Sequence, residues 1–158
     1  MSLSSLVERA RGADAFEGPI TGIPYAEFLG LWARRDGDGI VAWLKFSDHL
    51  IGNPVLPALH GGVTGALLEM AGMLQVCWET GKLGETIEQL PKPIGITVEY
   101  LRTGRPGDVF AVADIARSGR RIANVRAEAW QTDRAKPIAA GLMHFLMPSA
   151  ERTRRPGR

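Results

Sequence analysis

The longest run of apolar residues extends from Leu59 to Trp78, and its spacing predicts a helix. In this run, LHGGVTGALLEMAGMLQVCW, apolar side chains recur every three or four residues, which is the period of a helix with one broad buried face. We expect the helix over residues 62–80, because Pro57 precedes it and Gly81 follows it as boundary signals. Its glycines and alanines would let a sheet pack closely against it.

The segments before and after this helix have apolar patterns that predict one further helix and several strands. Residues 2–11 have the pattern of a short amphipathic helix. Strands are predicted before the central helix at 23–34 and 39–46, joined by a hairpin turn at 35–39, and after it at 94–101, 108–117, 121–131 and 137–147. Short turns between strands favour an antiparallel sheet, so the fold class is α+β, with the sheet wrapped around one long central helix. In the strand 121–131, the side that would face the helix carries small residues, namely Ala123, Val125, Ala127 and Ala129.

The length of 158 residues fits one domain with a sizeable core. We assign residues 21–148 to that domain, 1–20 to an N-terminal helix and lead-in, and 149–158 to a basic tail expected to be disordered. The tail segment ERTRRPGR has four arginines against one glutamate, and its net +3 leaves −1 for the rest of a chain whose formal charge is +2. Nucleic-acid binding is therefore not expected, since no basic surface with regularly spaced aromatic residues is apparent in the domain.

Several other classes of protein have little support in the sequence. The N-terminal residues lack the apolar core of a signal peptide, and the central helix is shorter than the ~20 apolar residues of a membrane span. Cys77 is the single cysteine, which suits a reducing cytoplasm. No His-x-x-x-His or Cys-x-x-Cys spacing occurs, so a metal site is not expected. We expect a cytoplasmic protein without a membrane anchor.

Candidate chemistry lies at the start of the central helix. Glu69 stands between Leu68 and Met70, where an ionised carboxylate is costly unless it has a partner. The Gly61-Gly62 turn would bring backbone N–H groups to the helix N-terminus, where the helix dipole favours negative charge. A substrate carbonyl could therefore bind beside a carboxylate. The same spacing also fits a glutamate at the polar edge of the helix without a chemical role.

Four motifs in order resemble the hotdog-fold acyl-CoA thioesterases of the phenylacetate-pathway type. They are HGGVTGALLEMAG, Tyr100-Leu101-Arg102, Arg105-Pro106-Gly107-Asp108 and Ser118-Gly119-Arg120-Arg121, within a similarity that covers residues 26–147. The resemblance implies a hotdog fold and hydrolysis of an acyl-CoA thioester to a free acid and coenzyme A. Coenzyme A would then be part of the substrate, and no further cofactor would be needed.

The resemblance also implies roles for individual residues. The Gly61 N–H would stabilise the oxyanion that develops on the thioester carbonyl, and Glu69 would act as nucleophile or as general base for water. Gly62 would contact the substrate. Asn53 would hold the thioester or the water, although a plain turn residue beside Pro54 fits as well. His60 would mainly shape the glycine turn by hydrogen bonding, and a direct catalytic role is the less favoured interpretation.

The nucleotide of coenzyme A carries phosphates, so basic groups are expected at the mouth of the site. The resemblance assigns them to the turn formed by Arg117, Ser118, Gly119, Arg120 and Arg121, where guanidinium and N–H groups could hold phosphate. A solvated hairpin with no ligand is the other interpretation. The family builds its site between two subunits, which implies a homodimer with Glu69 facing Gly61 of the other chain. A homotetramer would cover the outward face that bears Trp130.

Two further functions stay open at this point. One is an enoyl-thioester hydratase or dehydratase, because the segment from His49 to Pro57 resembles the histidine loop of dehydratases. The other is a non-catalytic acyl-CoA binding protein, because Met73 stands where one branch of the hydroxybenzoyl-CoA thioesterases has an assisting Thr or Ser.

Overall fold

In the computed structural model, which describes residues 2–84 and 89–148, strands form a sheet around one long helix. The helices are α1 (Leu3–Gly12), α2 (Pro24–Leu29) and α3 (Gly61–Lys82). The strands are β1 (Glu17–Pro19), β2 (Leu31–Asp36), β3 (Gly39–Leu44), β4 (Ile51–Asn53), β5 (Ala58–Leu59), β6 (Lys92–Tyr100), β7 (Val109–Ser118), β8 (Ile122–Trp130) and β9 (Ala139–Leu146). The predicted basic tail at 149–158 lies outside the described residues.

The main sheet has seven strands in the order β1-β2-β3-β7-β8-β9-β6, and every neighbouring pair is antiparallel. The chain runs from β3 through a small β4–β5 pair into α3, and it re-enters the sheet as β6 at the far edge beside β9. The helix α3 packs against β3, β7, β8 and β9. The predicted antiparallel α+β architecture around one central helix is confirmed.

Small side chains let the sheet approach α3 closely. The predicted inward row on β8 is buried, from Ala123 to Ala129. On the helix, a Cβ added at Gly72 would lie 3.0 Å from side-chain atoms of Met143 and Phe145. A larger residue at this position would push the helix off the sheet, because the interior has no free volume to receive it.

The helix α1 covers the C-terminal end of α3. Its apolar side is buried, as its amphipathic pattern predicts. The Arg35 guanidinium donates hydrogen bonds to the carbonyl oxygens of Ala10, Arg11 and Ala13, which satisfies acceptors left over where α1 ends. The same guanidinium lies 5.9 Å from the centre of the Trp78 ring. The opposite, N-terminal end of α3 has no such cover within the described part of the chain.

The single strand predicted over 23–34 is wrong in its first half. Residues Pro24–Leu29 form α2, and the strand begins only at Leu31. Proline at the first helical position and Gly30 at φ 71° after the last one are the usual start and stop signals of a helix. Three further features were absent from the prediction: the three-residue edge strand β1, a short 3-10 helix at Asp48–Leu50 within the expected loop 47–57, and the β4–β5 pair within and beside that loop.

Candidate active site

The turn that begins α3 is held by His60. This residue is the N-cap, and its Nδ1 accepts a hydrogen bond from the Gly62 N–H at 3.0 Å. Its carbonyl oxygen accepts from the N–H groups of Val63 and Thr64, at 3.0 and 3.3 Å. A Cβ at Gly52 would come within 2.7 Å of the His60 Cα, so the preceding β4 strand packs directly on this residue. The imidazole therefore caps the helix.

The Gly61 N–H is the donor that this arrangement leaves free. Gly62, Val63 and Thr64 have acceptors for their N–H groups, whereas Gly61 has none among the described residues. Its position at the first residue of a 22-residue helix adds the positive end of the helix dipole. A substrate oxygen that develops negative charge could accept this hydrogen bond.

A cleft of about 370 Å³ opens beside this turn. The Tyr100 hydroxyl, at the end of β6, donates to the Gly61 carbonyl oxygen at 2.8 Å. The cleft is lined by Ala58, Leu59, Gly61, Thr64, Tyr100, Leu101, Arg102, Thr103, Gly104 and Ile138. Sequence reasoning named Tyr100 only as part of the Tyr100-Leu101-Arg102 motif, without a role, and gave no role to Thr64. The alternation of β6 places Tyr100 on the helix side, but only the fold shows that it meets the glycine turn.

Glu69 lies two turns further along α3 and is half-buried. It makes no hydrogen bond or ion pair with any described residue. The partly exposed residues Gly62, Gly65 and Ala66 precede it by seven, four and three positions, so all four lie on one uncovered side of the helix. Burial raises the pKa of the Glu69 carboxyl above its usual value. An unpaired carboxylate with a raised pKa is a stronger base than an ordinary surface glutamate.

The Asn53 side chain makes its hydrogen bonds within its own turn. Its Oδ1 accepts hydrogen bonds from the N–H groups of Val55 and Leu56, at 3.0 and 3.2 Å, and the residue is exposed. This is the geometry of an Asx turn. The structure records no contact between Asn53 and the glycine turn in the single chain.

The arginine turn between β7 and β8 lies beside a second cleft, of about 450 Å³. The lining residues are Ile94, Arg117, Gly119, Arg121, Ile122, Asn124 and His144. Ser118 and Arg120 are exposed on the same turn but do not line the cleft. The structure thus brings three of the five predicted phosphate-binding residues together. His144, whose Nδ1 lies 2.7 Å from the Asn124 Oδ1, joins them from β9.

The strand β6 joins the two clefts and forms a free edge of the sheet. Ile94 lies at the arginine cleft and Tyr100 at the glycine turn, about 20 Å apart at the usual rise per residue of a strand. One side of β6 pairs with β9, and its other side has no partner strand in the described part of the chain. Ile94, Ile96 and Tyr100 are 55%, 42% and 60% exposed. A long edge strand with exposed apolar side chains invites pairing with another strand.

Other titratable groups have local structural roles. The ring nitrogens of His49 lie 3.0 Å from the Ser47 Oγ and 3.0 Å from the Phe28 carbonyl oxygen, so both are within hydrogen-bond distance of neighbouring groups. Burial raises the pKa of the Cys77 thiol to about 12, which leaves it protonated and unreactive. Within residues 2–84 and 89–148, no group of three potential metal ligands occurs, and no helix has the length and apolarity to cross a membrane.

Comparison with known proteins gives one family. Residues 53–146 match the family of the acyl-CoA thioesterase N-terminal domain. The medium/long-chain acyl-CoA thioesterase YigI of Salmonella typhimurium is 31% identical over 121 residues, which cover 70% of this chain and 77% of that protein.

Solved structures share the fold over nearly the whole chain. A protein from Shewanella oneidensis related to the thioesterase superfamily has a TM-score of 0.71 at 26% identity, covering 92% of this chain and 97% of its own. A phenylacetic acid degradation-related protein from Ralstonia eutropha has a TM-score of 0.68 at 20% identity, with 90% and 99% covered. At 20% identity, the similarity to the Ralstonia eutropha protein concerns the fold alone.

Proposed function

The chain belongs to the acyl-CoA thioesterase family and is a thioesterase with a hotdog fold, and on this premise we propose that it hydrolyses medium- or long-chain acyl-CoA thioesters at a site shared by two subunits. The observation that carries this proposal is that α3 carries two polar groups without a hydrogen-bond partner among the described residues. One is the Gly61 N–H, which has no acceptor among the described residues. The other is the Glu69 carboxylate, which has no partner there.

Together these two groups supply a base for water and a hydrogen-bond donor for the oxyanion, which are the two functions that the hydrolysis needs. Glu69 takes a proton from water while the water oxygen attacks the thioester carbonyl carbon, and the oxyanion that forms accepts a hydrogen bond from the Gly61 N–H. The intermediate then collapses, the carbon–sulfur bond breaks, and the proton held by Glu69 is returned to the coenzyme A thiolate. In the alternative route the Glu69 carboxylate attacks the carbonyl carbon, and the carbon–sulfur bond breaks to release the coenzyme A thiolate and leave a mixed anhydride. Water then cleaves the anhydride to the free acid and the Glu69 carboxylate, and the proton released from water goes to the thiolate.

We assign the site to two subunits because the two groups lie well apart in one chain. Gly61 and Glu69 are eight residues apart on one helix, which is about 12 Å along its axis. A glutamate side chain and one hydrogen bond do not span that distance. We assign the second half of the site to a second copy, with Glu69 of one subunit facing Gly61 of the other. The free edge of β6 supports a homodimer in which two β6 strands pair antiparallel.

The arginine cleft is the proposed site of the coenzyme A phosphates. Arg117 and Arg121 provide guanidinium groups, and Gly119 lets the backbone come close to a ligand. In an antiparallel β6 pair, the Ile94 end of one strand lies beside the Tyr100 end of the other. The nucleotide cleft of one subunit would then lie next to the reacting turn of its partner.

The substrate class is taken from the curated relative and from the apolar surface near the glycine turn. YigI of Salmonella typhimurium is described as a medium/long-chain acyl-CoA thioesterase. In this chain Leu56, Ile96 and Leu101 are exposed apolar residues, and Leu101 lines the cleft that contains Gly61. An aliphatic acyl chain would gain about 0.8 kcal/mol for each methylene group buried there.

A cytoplasmic location of the protein stays a prediction.

The test is thiol release by the purified protein from aromatic, short-chain, medium-chain and long-chain acyl-CoAs. We expect the highest kcat/KM with medium or long aliphatic chains, and a fall of about a hundredfold or more in Glu69→Gln. Glu79→Gln is the matched control, because Glu79 lies on the same helix and its carboxylate bonds Gln75 and Lys82. A wild-type protein that releases no thiol from any of these esters would contradict the proposed function.

A further inference from the structure

We propose that Tyr100 is a positioning residue of this active site: its hydroxyl holds the Gly61–Gly62 peptide group, which adjoins the peptide group that carries the Gly61 N–H, and it does not touch the substrate. This deepens the proposed function and rests on it. The Tyr100 hydroxyl donates to the Gly61 carbonyl oxygen at 2.8 Å. That carbonyl belongs to the peptide group between Gly61 and Gly62, which also donates its N–H to the His60 Nδ1 at 3.0 Å.

The peptide group on the other side of Gly61 is fixed as well. The His60 carbonyl oxygen accepts hydrogen bonds from Val63 and Thr64. Both peptide planes that meet at the Gly61 Cα are therefore anchored. A glycine without such anchors has the greatest backbone freedom of any residue, and the first turn of a helix has few hydrogen bonds to restrain it. The hydroxyl of Tyr100 is the anchor that comes from outside the helix.

Tyr100 itself is held by the sheet. It pairs with Ala139 on β9, and the N–H groups of the next two residues, Leu101 and Arg102, donate to the Ile138 carbonyl oxygen at 2.8 and 3.0 Å. The hydroxyl thus connects a rigid strand end to the glycine turn. The contact also explains the residue at 61, because an added Cβ would lie 3.0 Å from the Tyr100 ring and its hydroxyl oxygen.

A fixed donor stabilises the transition state more than the bound ester, because its hydrogen bond strengthens as charge develops on the oxygen. Removal of the Tyr100 hydroxyl would therefore lower kcat and leave KM nearly unchanged. A misplacement of a reacting group by about 1 Å costs up to about a hundredfold in rate, so we expect kcat to fall about tenfold.

The experiment compares Tyr100→Phe with Tyr25→Phe, which removes the other tyrosine hydroxyl of the chain. Tyr25 is exposed on α2, and no hydrogen bond of its hydroxyl is recorded among the described residues. Hydrogen exchange of the amides from 61 to 64 is measured first, since it needs no substrate. We expect faster exchange in Tyr100→Phe only, together with the lower kcat at unchanged KM.

Unchanged exchange in Tyr100→Phe would overturn the proposal, and so would faster exchange with kcat unchanged. A higher KM at unchanged kcat would also overturn it, because Tyr100 would then be a substrate contact. If the wild type hydrolyses no acyl-CoA, the proposed function fails, and the exchange measurement still decides whether Tyr100 restrains the turn.

Discussion

The Nδ1 atom of His60 accepts a hydrogen bond from the Gly62 N–H, 3.0 Å away. This contact favours one of two roles for the histidine. A neutral imidazole has one acceptor nitrogen, and here that lone pair points at the backbone, so the ring proton lies on Nε2. A ring in this state has no free lone pair with which to take a proton from water. The side chain therefore organises the turn.

From this geometry we predict that asparagine can replace His60. An N-cap asparagine accepts the same backbone hydrogen bond, whereas alanine loses it at a cost of about 1 kcal/mol. His60→Asn should therefore keep most of the wild-type unfolding free energy and kcat, whereas His60→Ala should lose about 1 kcal/mol of unfolding free energy and have a lower kcat. Urea unfolding and thiol release measure the two quantities. If asparagine abolishes turnover while it preserves stability, the ring has a chemical role.

A second prediction isolates the Gly61 N–H. Gly61 is the first residue of α3, where proline is tolerated, and His60 has φ −65° and ψ 131°, which a following proline permits. Gly61→Pro removes the N–H, whereas Gly61→Ala adds a Cβ at the same place and keeps it. We expect kcat to fall about a hundredfold to a thousandfold for proline, and much less for alanine. Equal losses in the two variants would show that crowding against Tyr100 is responsible.

The sequence predicted the central helix well, since α3 extends one residue before and two residues after the expected 62–80. Its apolar residues could be assigned to a helix without ambiguity, because the sheet covers most of the helix and the buried positions therefore repeat over its whole length. The segment Pro24–Leu29 was predicted as part of the strand 23–34, although its apolar residues at 25, 26, 28 and 29 do not alternate; six residues are too short a stretch to distinguish the two periods securely. The capping signals Pro24 and Gly30 were the better indicators there.

Less of the candidate site than of the fold could be predicted from the sequence. The His60-Gly61-Gly62 motif and Glu69 were visible as residues, but the contact of Tyr100 with Gly61 joins positions 39 residues apart. The alternation along β6 places Ile96 and Tyr100 on one face of the strand, yet these residues stay 42% and 60% exposed. A pattern of apolar positions shows that a face is to be buried. It does not show whether the same chain or a second one covers it.

A third prediction concerns Glu69 and pH. Burial raises its pKa in the folded state above the usual value of 4.5, so the folded protein binds this proton more tightly than the unfolded chain does. Stability is therefore lost as the pH rises through the folded-state pKa. Near pH 7, Glu69→Gln should raise the unfolding temperature, and below about pH 4 the gain should vanish.

The control for that measurement is Glu79→Gln. Glu79 forms an ion pair with Lys82 at 3.1 Å, so its replacement should not raise the unfolding temperature near pH 7. For the wild type, kcat/KM should fall in acid with an apparent pKa above 4.5, because the reaction needs the ionised Glu69 carboxylate. A Glu69→Gln protein that is less stable than the wild type near neutrality would contradict the assigned environment.

A fourth prediction tests the arginine cleft. Arg117 and Arg121 are proposed to hold phosphates that are distant from the reacting carbon, so the double alanine variant should raise KM about tenfold with kcat nearly unchanged. An acyl-pantetheine ester, which lacks the nucleotide, should be hydrolysed equally well by the variant and the wild type. Arg126→Ala, exposed on the neighbouring β8, is the control. An equal loss with both esters would remove the nucleotide from this cleft.

The last prediction tests whether the site is shared between subunits. Gly61→Pro and Glu69→Gln are each expected to be inactive as homodimers. In a heterodimer of the two, one site combines both defects, while the other combines the intact Gly61 of one subunit with the intact Glu69 of its partner. A heterodimer purified through two different tags should therefore have about half of the wild-type turnover per dimer. If each site lay within one chain, both sites would carry a defect and no activity would return. The separation of about 12 Å between the two residues along α3 favours recovery.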